Sequence, residues 1–80
     1  MTFGANDVEY GVVLFQSVSH ALRGERVAMR AGLTVKLIPV PRQFSSNCGT
    51  ALRFHWPEEA TMRQTLEEAR VTIEAIHRLA

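Results

Sequence analysis

The sequence predicts an α+β domain in which four strands and two helices follow one another in the order βαββαβ. Three observations support this prediction. Short apolar segments at residues 10–16, 33–40 and 51–56 have the length and composition of strands. A segment with helical spacing at 20–31 separates the first two strands, and a second helix follows the third strand. A β-branched cluster at 71–73 predicts the fourth strand.

The first strand and helix are expected to form the centre of the domain. The continuous apolar run at 10–16 is typical of a strand that is buried on both faces. Ser17 or Ser19 is expected to cap the helix, since a serine hydroxyl accepts from a free N–H of the first turn. Gly32 should end it in a left-handed C-cap. The outward arginines indicate either a solvated face or a docking surface: Arg23, Arg26 and Arg30.

The second and third strands differ in their expected positions. Residues 33–40 should form an edge strand or end at Pro39, which has no N–H to donate to a neighbour. Residues 51–56 alternate between apolar and polar side chains, as a half-buried strand does. The stretch between them, residues 41–49, is polar and predicts a loop.

The second helix has the composition expected of a helix N-terminus. Pro57 suits the first turn, and the carboxylates of Glu58 and Glu59 interact favourably with the positive end of the helix dipole. Glu59 and Arg63 have the spacing and order of a stabilising ion pair.

The C-terminal segment leaves two alternatives. Apolar residues continue at helical spacing to the C-terminus, which would give three strands with a long C-terminal helix. The β-branched residues at 71–73 instead favour a fourth strand, although no Gly or Pro breaks the helix near Arg70. We favour the strand. Two βαβ units with right-handed crossovers then give a ferredoxin-like sandwich, a four-stranded antiparallel sheet with both helices on one face.

The predicted domain comprises residues 10–80, and residues 1–9 are interpreted as a flexible N-terminal segment. The sheet face without helices would be open to solvent or to a partner. Such a face or a free sheet edge is compatible with a homodimer.

The composition argues against several classes of protein. Nine Lys plus Arg and eight Asp plus Glu give a net charge of +1, which does not indicate a dedicated nucleic-acid-binding protein. A single cysteine cannot form an intrachain disulfide or a paired-cysteine zinc site. No apolar run reaches the roughly 20 residues of a membrane span, and no secretory signal is visible. We therefore expect a cytoplasmic protein with a free thiol.

Cys48 carries the clearest chemical signal in the sequence. Its neighbour Gly49 and its position in the predicted loop indicate an exposed thiol, although an inert, partly buried cysteine is the alternative. Arg42 precedes it by six residues and Arg53 follows it by five. A guanidinium group close to the sulfur would favour the nucleophilic thiolate. Three further polar residues are candidate donors to an anionic sulfur or a persulfide: Ser45, Ser46 and Asn47.

The histidines offer weaker candidates. His20 or His55 is a candidate base for Cys48, but no carboxylate is obviously placed to orient either ring. The three histidines and Cys48 have no recognised metal-ligand spacing, His77 included. The sequence therefore predicts neither a metal site nor an independent thiol-dependent enzyme.

The motifs around Cys48 resemble those of the small bacterial domains described as putative Se/S carrier protein-like. The most specific part lies between residues 39 and 54, where Pro-x-Pro-Arg, Ser-Ser-x-Cys-Gly and Ala-Leu-Arg-Phe stand in this order. The resemblance covers most of residues 10–80. It departs at Arg70, where relatives tend to have a glycine-type break before the last strand.

The resemblance implies that Cys48 carries sulfur or selenium as a persulfide or selenopersulfide. It also implies a stoichiometric carrier without a cofactor, loaded by a donor such as a cysteine desulfurase and unloaded by an acceptor protein. Neither nucleic acid nor membrane is an expected partner. The alternatives are a small-molecule-binding or regulatory module and a protein-interaction module on the same scaffold. The matching motif residues beside Cys48 are Arg42, Ser45, Ser46, Gly49 and Arg53.

Overall fold

The computed structural model describes residues 9–44 and 48–79. Four strands and two helices follow the predicted order, which confirms the fold class. A single 3₁₀ turn, Trp56–Glu58, precedes the second helix. The alternative with one long C-terminal helix is wrong. The elements are β1 (Tyr10–Leu14), α1 (Val18–Arg30), β2 (Val35–Pro39), β3 (Thr50–His55), α2 (Glu59–Glu68) and β4 (Ala75–Arg78).

The four strands form one antiparallel sheet in the order β2-β3-β1-β4. The apolar strand β1 is therefore central, and β2, which ends at Pro39, is an edge strand, as predicted. The predicted flexible segment lies outside the described residues apart from Glu9. The Glu9 carboxylate pairs with Arg78 at 2.6 Å, which joins the start of β1 to β4.

Both helices pack on one face of the sheet. The small residues Ala21, Gly24 and Ala28 form the buried face of α1, as their helical spacing predicts. A Cβ atom on Gly24 would lie 2.8 Å from the ring of Phe15, so the glycine lets α1 approach the sheet closely. Met62 and Leu66 bury the facing side of α2 in the same core.

The opposite sheet face is partly covered, which corrects the expectation of an open face. Val12, Leu14 and Ala51 are buried there, and Val40 and Phe44 from the segment after β2 pack against them. Covering this apolar patch with apolar side chains removes both from water, which favours the contact. Among the described residues, the part of this face that lies farther from the segment after β2 stays accessible.

Both helices end in a Schellman motif. At the end of α1, Gly32 has φ +84°, and the N–H groups of Gly32 and Leu33 donate to the carbonyls of Met29 and Ala28. The end of α2 repeats this pattern, and Arg70 takes the left-handed position with φ +58°. The chain thus breaks after α2 without a glycine, and this break allows β4 to form.

Candidate functional site

Cys48 lies at the end of the sheet where β1 ends and β3 begins. Leu14 faces Ala51 in the sheet register, so the residues just before β3 lie beside those just after β1. The connection that leads to β4 reaches the same end, because the Glu74 N–H donates to the Leu14 carbonyl at 2.7 Å. Three chain segments therefore meet around the end of the sheet that carries the thiol.

The Cys48 side chain is buried, with 4% of its surface exposed. Its Sγ donates to the carbonyl of Thr50 at 3.4 Å. The expectation of an exposed loop thiol is wrong. The backbone explains the difference: the Thr50 N–H turns back to the Cys48 carbonyl, and the Val40 N–H donates to the Gly49 carbonyl at 3.2 Å. These bonds hold the cysteine against the end of β3.

Gly49 is exposed, and a Cβ atom there would meet nothing within 4 Å. The observed conformation therefore does not depend on a glycine at this position.

The two candidate arginines occupy different environments. The Arg53 guanidinium lies 4.2 Å from the centre of the Tyr10 ring, and Tyr10 faces His55 at the other end of β3. Arg53 is therefore directed away from Cys48. Arg42 is exposed in the turn that follows β2, which the Phe44 N–H closes by donating to the Pro41 carbonyl at 3.0 Å. Of the two, only Arg42 lies in the segment that leads to the thiol.

The histidines do not converge on Cys48 as a group. His20 lies in the first turn of α1, where its Nδ1 is 2.8 Å from Ser17 Oγ, and Ser17 caps the helix as predicted. His55 stands beside Tyr10, about 17 Å along β3 from Thr50 at the usual rise of a strand. Across residues 9–44 and 48–79, no three His, Cys, Asp or Glu side chains are grouped to hold a metal ion.

Sequence analysis missed a contact between Phe44 and His77. The two rings stack in parallel, with centroids 4.4 Å apart and an angle of 9° between their planes. The contact links the segment before Cys48 across the sheet to β4. The aromatic side chain of Phe44 in the otherwise polar stretch 41–49 indicates that this segment packs on something apolar. The sequence does not show which strand its ring contacts.

Three predicted site residues, Ser45, Ser46 and Asn47, lie outside the described residues. The structure therefore places Cys48, Gly49 and Arg42 in one connection and His20 on α1, which begins at the same end of the sheet. It separates Arg53 from this group.

Two other surfaces bear on the alternative functions. In the predicted arginine stripe, Arg23 donates to the Ala69 carbonyl at 3.0 Å and joins α1 to the end of α2, whereas Arg26 and Arg30 are exposed. A cavity of about 240 Å³ lies between α2 and the connection to β4. Its lining residues are Arg63, Leu66, Glu67, Val71 and Ile73.

Comparison with known proteins assigns the family. Residues 10–78 match the family model described as "Putative Se/S carrier protein-like". The chain belongs to this family. The match begins at the first residue of β1 and ends at the last residue of β4, so the Se/S carrier-like region includes Cys48 and the whole sheet. No curated protein and no solved structure gives a significant match.

Membership of a Se/S carrier-like family points to sulfur or selenium chemistry and to a protein partner. Cys48 is the only cysteine in the sequence, and three methionines supply the other sulfur atoms. A thioether has no proton to lose and does not form a persulfide, whereas a thiol does. Within the described residues no helix is long and apolar enough to span a membrane.

Proposed function

We propose that the protein is a sulfur or selenium carrier in which Cys48 is the acceptor. The observation that carries this proposal is the family match over residues 10–78 in a chain with one cysteine. The position of Cys48 outside the strands supports it, because a connection can change conformation without loss of the sheet.

The transfer is a thiol exchange. The Cys48 thiolate attacks the terminal sulfur of a donor persulfide, a new S–S bond forms at Cys48, and the donor leaves as its thiolate. A thiolate on the acceptor protein then attacks the same terminal sulfur, takes it, and releases Cys48 as the thiolate. The selenium reaction has the same balance, with a terminal selenium in place of sulfur.

The buried thiol implies two conformations of the carrier. In the described conformation Cys48 donates to Thr50 and has 4% of its surface exposed, which shields the sulfur from small oxidants and from solvent. Attack on a donor requires the sulfur to leave this position. Among its described residues, Val40 and Phe44 pack on the sheet face opposite the helices, so opening of the connection leaves the helix-side core intact.

Loading by a donor enzyme tests the proposal directly. The reduced protein is incubated with a cysteine desulfurase, its coenzyme and free cysteine, and its intact mass is measured. We expect the wild type to gain one sulfur atom, and dithiothreitol to remove it. Cys48→Ser should gain nothing. Thr50→Ala is a matched control, because Thr50 accepts the thiol through its backbone carbonyl.

Selenocysteine in place of free cysteine, which loads the donor enzyme as a selenopersulfide, distinguishes the two elements by the mass of the adduct. The absence of an adduct from several persulfide and selenopersulfide donors would contradict the proposal. An adduct on Cys48→Ser would also contradict it, since the sulfur would then reside elsewhere.

A further inference from the structure

The sheet face without helices carries a cluster of cationic and aromatic residues on its accessible half. In the register, Lys36 faces Arg53 and Tyr10 faces His55. Residues directly opposite one another in antiparallel strands project from the same face. These four residues, which we call the sheet-face patch, therefore lie together on β1, β2 and β3.

The contacts within the sheet-face patch order its side chains. The Arg53 guanidinium lies over the Tyr10 ring at 4.2 Å, a cation–π geometry. The Tyr10 and His55 rings are 5.7 Å apart and tilted by 52°. Lys36 is exposed and the other three are half-buried. This contact holds the guanidinium group beside the Tyr10 ring, and the half-buried Arg53 side chain keeps part of its surface accessible.

The charge of the sheet-face patch is not balanced by its neighbours. No strand position on this face carries Asp or Glu. The nearby Glu9 carboxylate is already paired with Arg78. The other ion pair among the described residues, Glu59 with Arg63, lies on α2. Two cations therefore stand beside two aromatic rings, and among the described residues no strand position on this face is acidic.

We propose that the sheet-face patch binds single-stranded nucleic acid. A nucleobase stacks on the free side of the Arg53 guanidinium or on His55, and Lys36 contacts the adjoining phosphate. Unpaired bases commonly stack on aromatic rings and arginine planes, and cations beside them track the backbone. The net charge of +1 argued against such a partner, but it averages over the whole chain. The sheet register places two of the nine cationic residues, Lys36 and Arg53, side by side at strand positions that have no acidic neighbour in the register.

This site is separate from the proposed carrier site. Tyr10 and His55 lie at one end of β3, and Cys48 precedes the other end. Phe44, stacked on His77, lies on the same face at the level of Arg53, because His77 and Arg53 both face Val12. The inference consequently does not depend on whether Cys48 carries sulfur.

Binding is measured by fluorescence anisotropy with labelled decauridine and deca-deoxyuridine at low salt. Two cationic contacts predict weak binding, with a dissociation constant of about 1–100 µM. The one phosphate contact, by Lys36, predicts a slope of about −0.7 in log K against log salt. Both oligonucleotides share the stacking and phosphate chemistry, and the tighter of the two identifies the sugar that is recognised. Uridine monophosphate as competitor separates recognition of a nucleotide from recognition of a strand.

A pair of double variants with equal charge change provides the control. Lys36→Glu with Arg53→Glu should weaken binding about tenfold or more, because both contacts are reversed. Arg26→Glu with Arg30→Glu changes the net charge equally on the exposed side of α1 and should leave binding within about twofold. Arg53→Lys keeps the charge and loses the planar group, and should weaken binding about fivefold through lost stacking.

Three results would overturn the proposal. The first is no anisotropy change with either oligonucleotide. The second is an equal loss in both double variants, which would show attraction to net charge alone. The third comes from amide shift mapping of the wild type with decauridine, which needs no folded variant: shifts at the sheet-face patch support the site, and shifts confined to α1 exclude it.

Discussion

At the scale of single residues, the environment of Cys48 decides how the thiol reacts. The sequence identifies this cysteine and its loop, but it does not predict its burial. The connection that carries the thiol folds back over the sheet, where Phe44 contacts His77, which is 33 positions farther along the chain. A contact between residues so distant leaves no periodic signal, whereas the identity and the neighbours of the cysteine are local.

Weakening the Phe44–His77 stack should expose the thiol. A stacked ring pair contributes about 1 kcal/mol, so Phe44→Ala or His77→Ala should raise the population of the open form about fivefold. The rate of Cys48 alkylation by iodoacetamide, measured under native conditions, should rise by the same factor. Leu22→Ala, at an exposed position on α1, serves as the control.

The double variant Phe44→Ala with His77→Ala tests whether the two rings act as a pair. Its alkylation rate should be close to that of the faster single variant. Unchanged rates in both single variants would show that the stack does not hold the connection closed.

The two arginines near Cys48 in the sequence should differ in their effect on sulfur loading. Arg42 is exposed in the connection that carries the thiol, and Arg53 is stacked on Tyr10. Arg42→Gln should slow transfer from a persulfide donor about threefold to tenfold by removing a cation near the thiolate. Arg53→Gln should leave the rate within about twofold. Equal losses would show that the connection rearranges to bring both arginines to the sulfur.

At the scale of helices and strands, most boundaries are predictable because their causes are local. Ser17 caps α1, Gly32 ends it, and Pro39 ends an edge strand. The exception is the end of α2. Arg70 occupies the left-handed position of a Schellman motif, where the sequence has no glycine to mark it. The prediction of β4 rested on the β-branched residues at 71–73, whereas the strand begins only at Ala75.

Substitutions at the two Schellman positions should have opposite effects on stability. A residue with a Cβ atom is strained in the left-handed backbone conformation that Arg70 adopts. Arg70→Gly removes this strain and should raise the free energy of unfolding by about 0.5–1 kcal/mol. Gly32→Ala introduces the same backbone strain and should lower the free energy of unfolding by about 1 kcal/mol. Urea denaturation measures both. A destabilised Arg70→Gly would show that the arginine side chain makes a compensating contribution.

The close approach of α1 to the sheet should make Gly24 intolerant of a side chain. Gly24→Ala gains about 1 kcal/mol of helix propensity. Its Cβ would meet the Phe15 ring at 2.8 Å, and overpacking of this kind costs about 1–3 kcal/mol. We expect a net loss of about 1 kcal/mol in the free energy of unfolding. Thermal denaturation measures it, and stabilisation would show that Phe15 moves freely.

At the scale of the whole molecule, one sheet face is divided between two environments. The connection after β2 covers Val12, Leu14 and Ala51, and the sheet-face patch lies beside this covered area, with Arg53 directly opposite Val12. The sequence predicted a single open face, because an alternating strand pattern shows which side chains share a face. It does not show how far a loop folds back over them. Val40 and Phe44, which cover this face, lie outside every strand.

This division predicts that the two proposed activities are independent. The two sites are joined by a hydrogen-bonded sheet; at the usual rise of a strand, His55 lies about 17 Å along β3 from Thr50, and Arg53 lies about 10 Å from it. Sites that share no contact partners usually have additive effects. Cys48→Ser should therefore leave the dissociation constant for decauridine within about twofold.

Conversely, Lys36→Glu with Arg53→Glu should still gain one sulfur atom at a rate within about twofold of the wild type. Anisotropy and intact mass on the same preparations measure both activities. Loss of both activities in either variant would mean that the connection after β2 couples the two halves of the face. Phe44, which packs on this sheet face against His77, would then be the first residue to substitute in a double-mutant cycle.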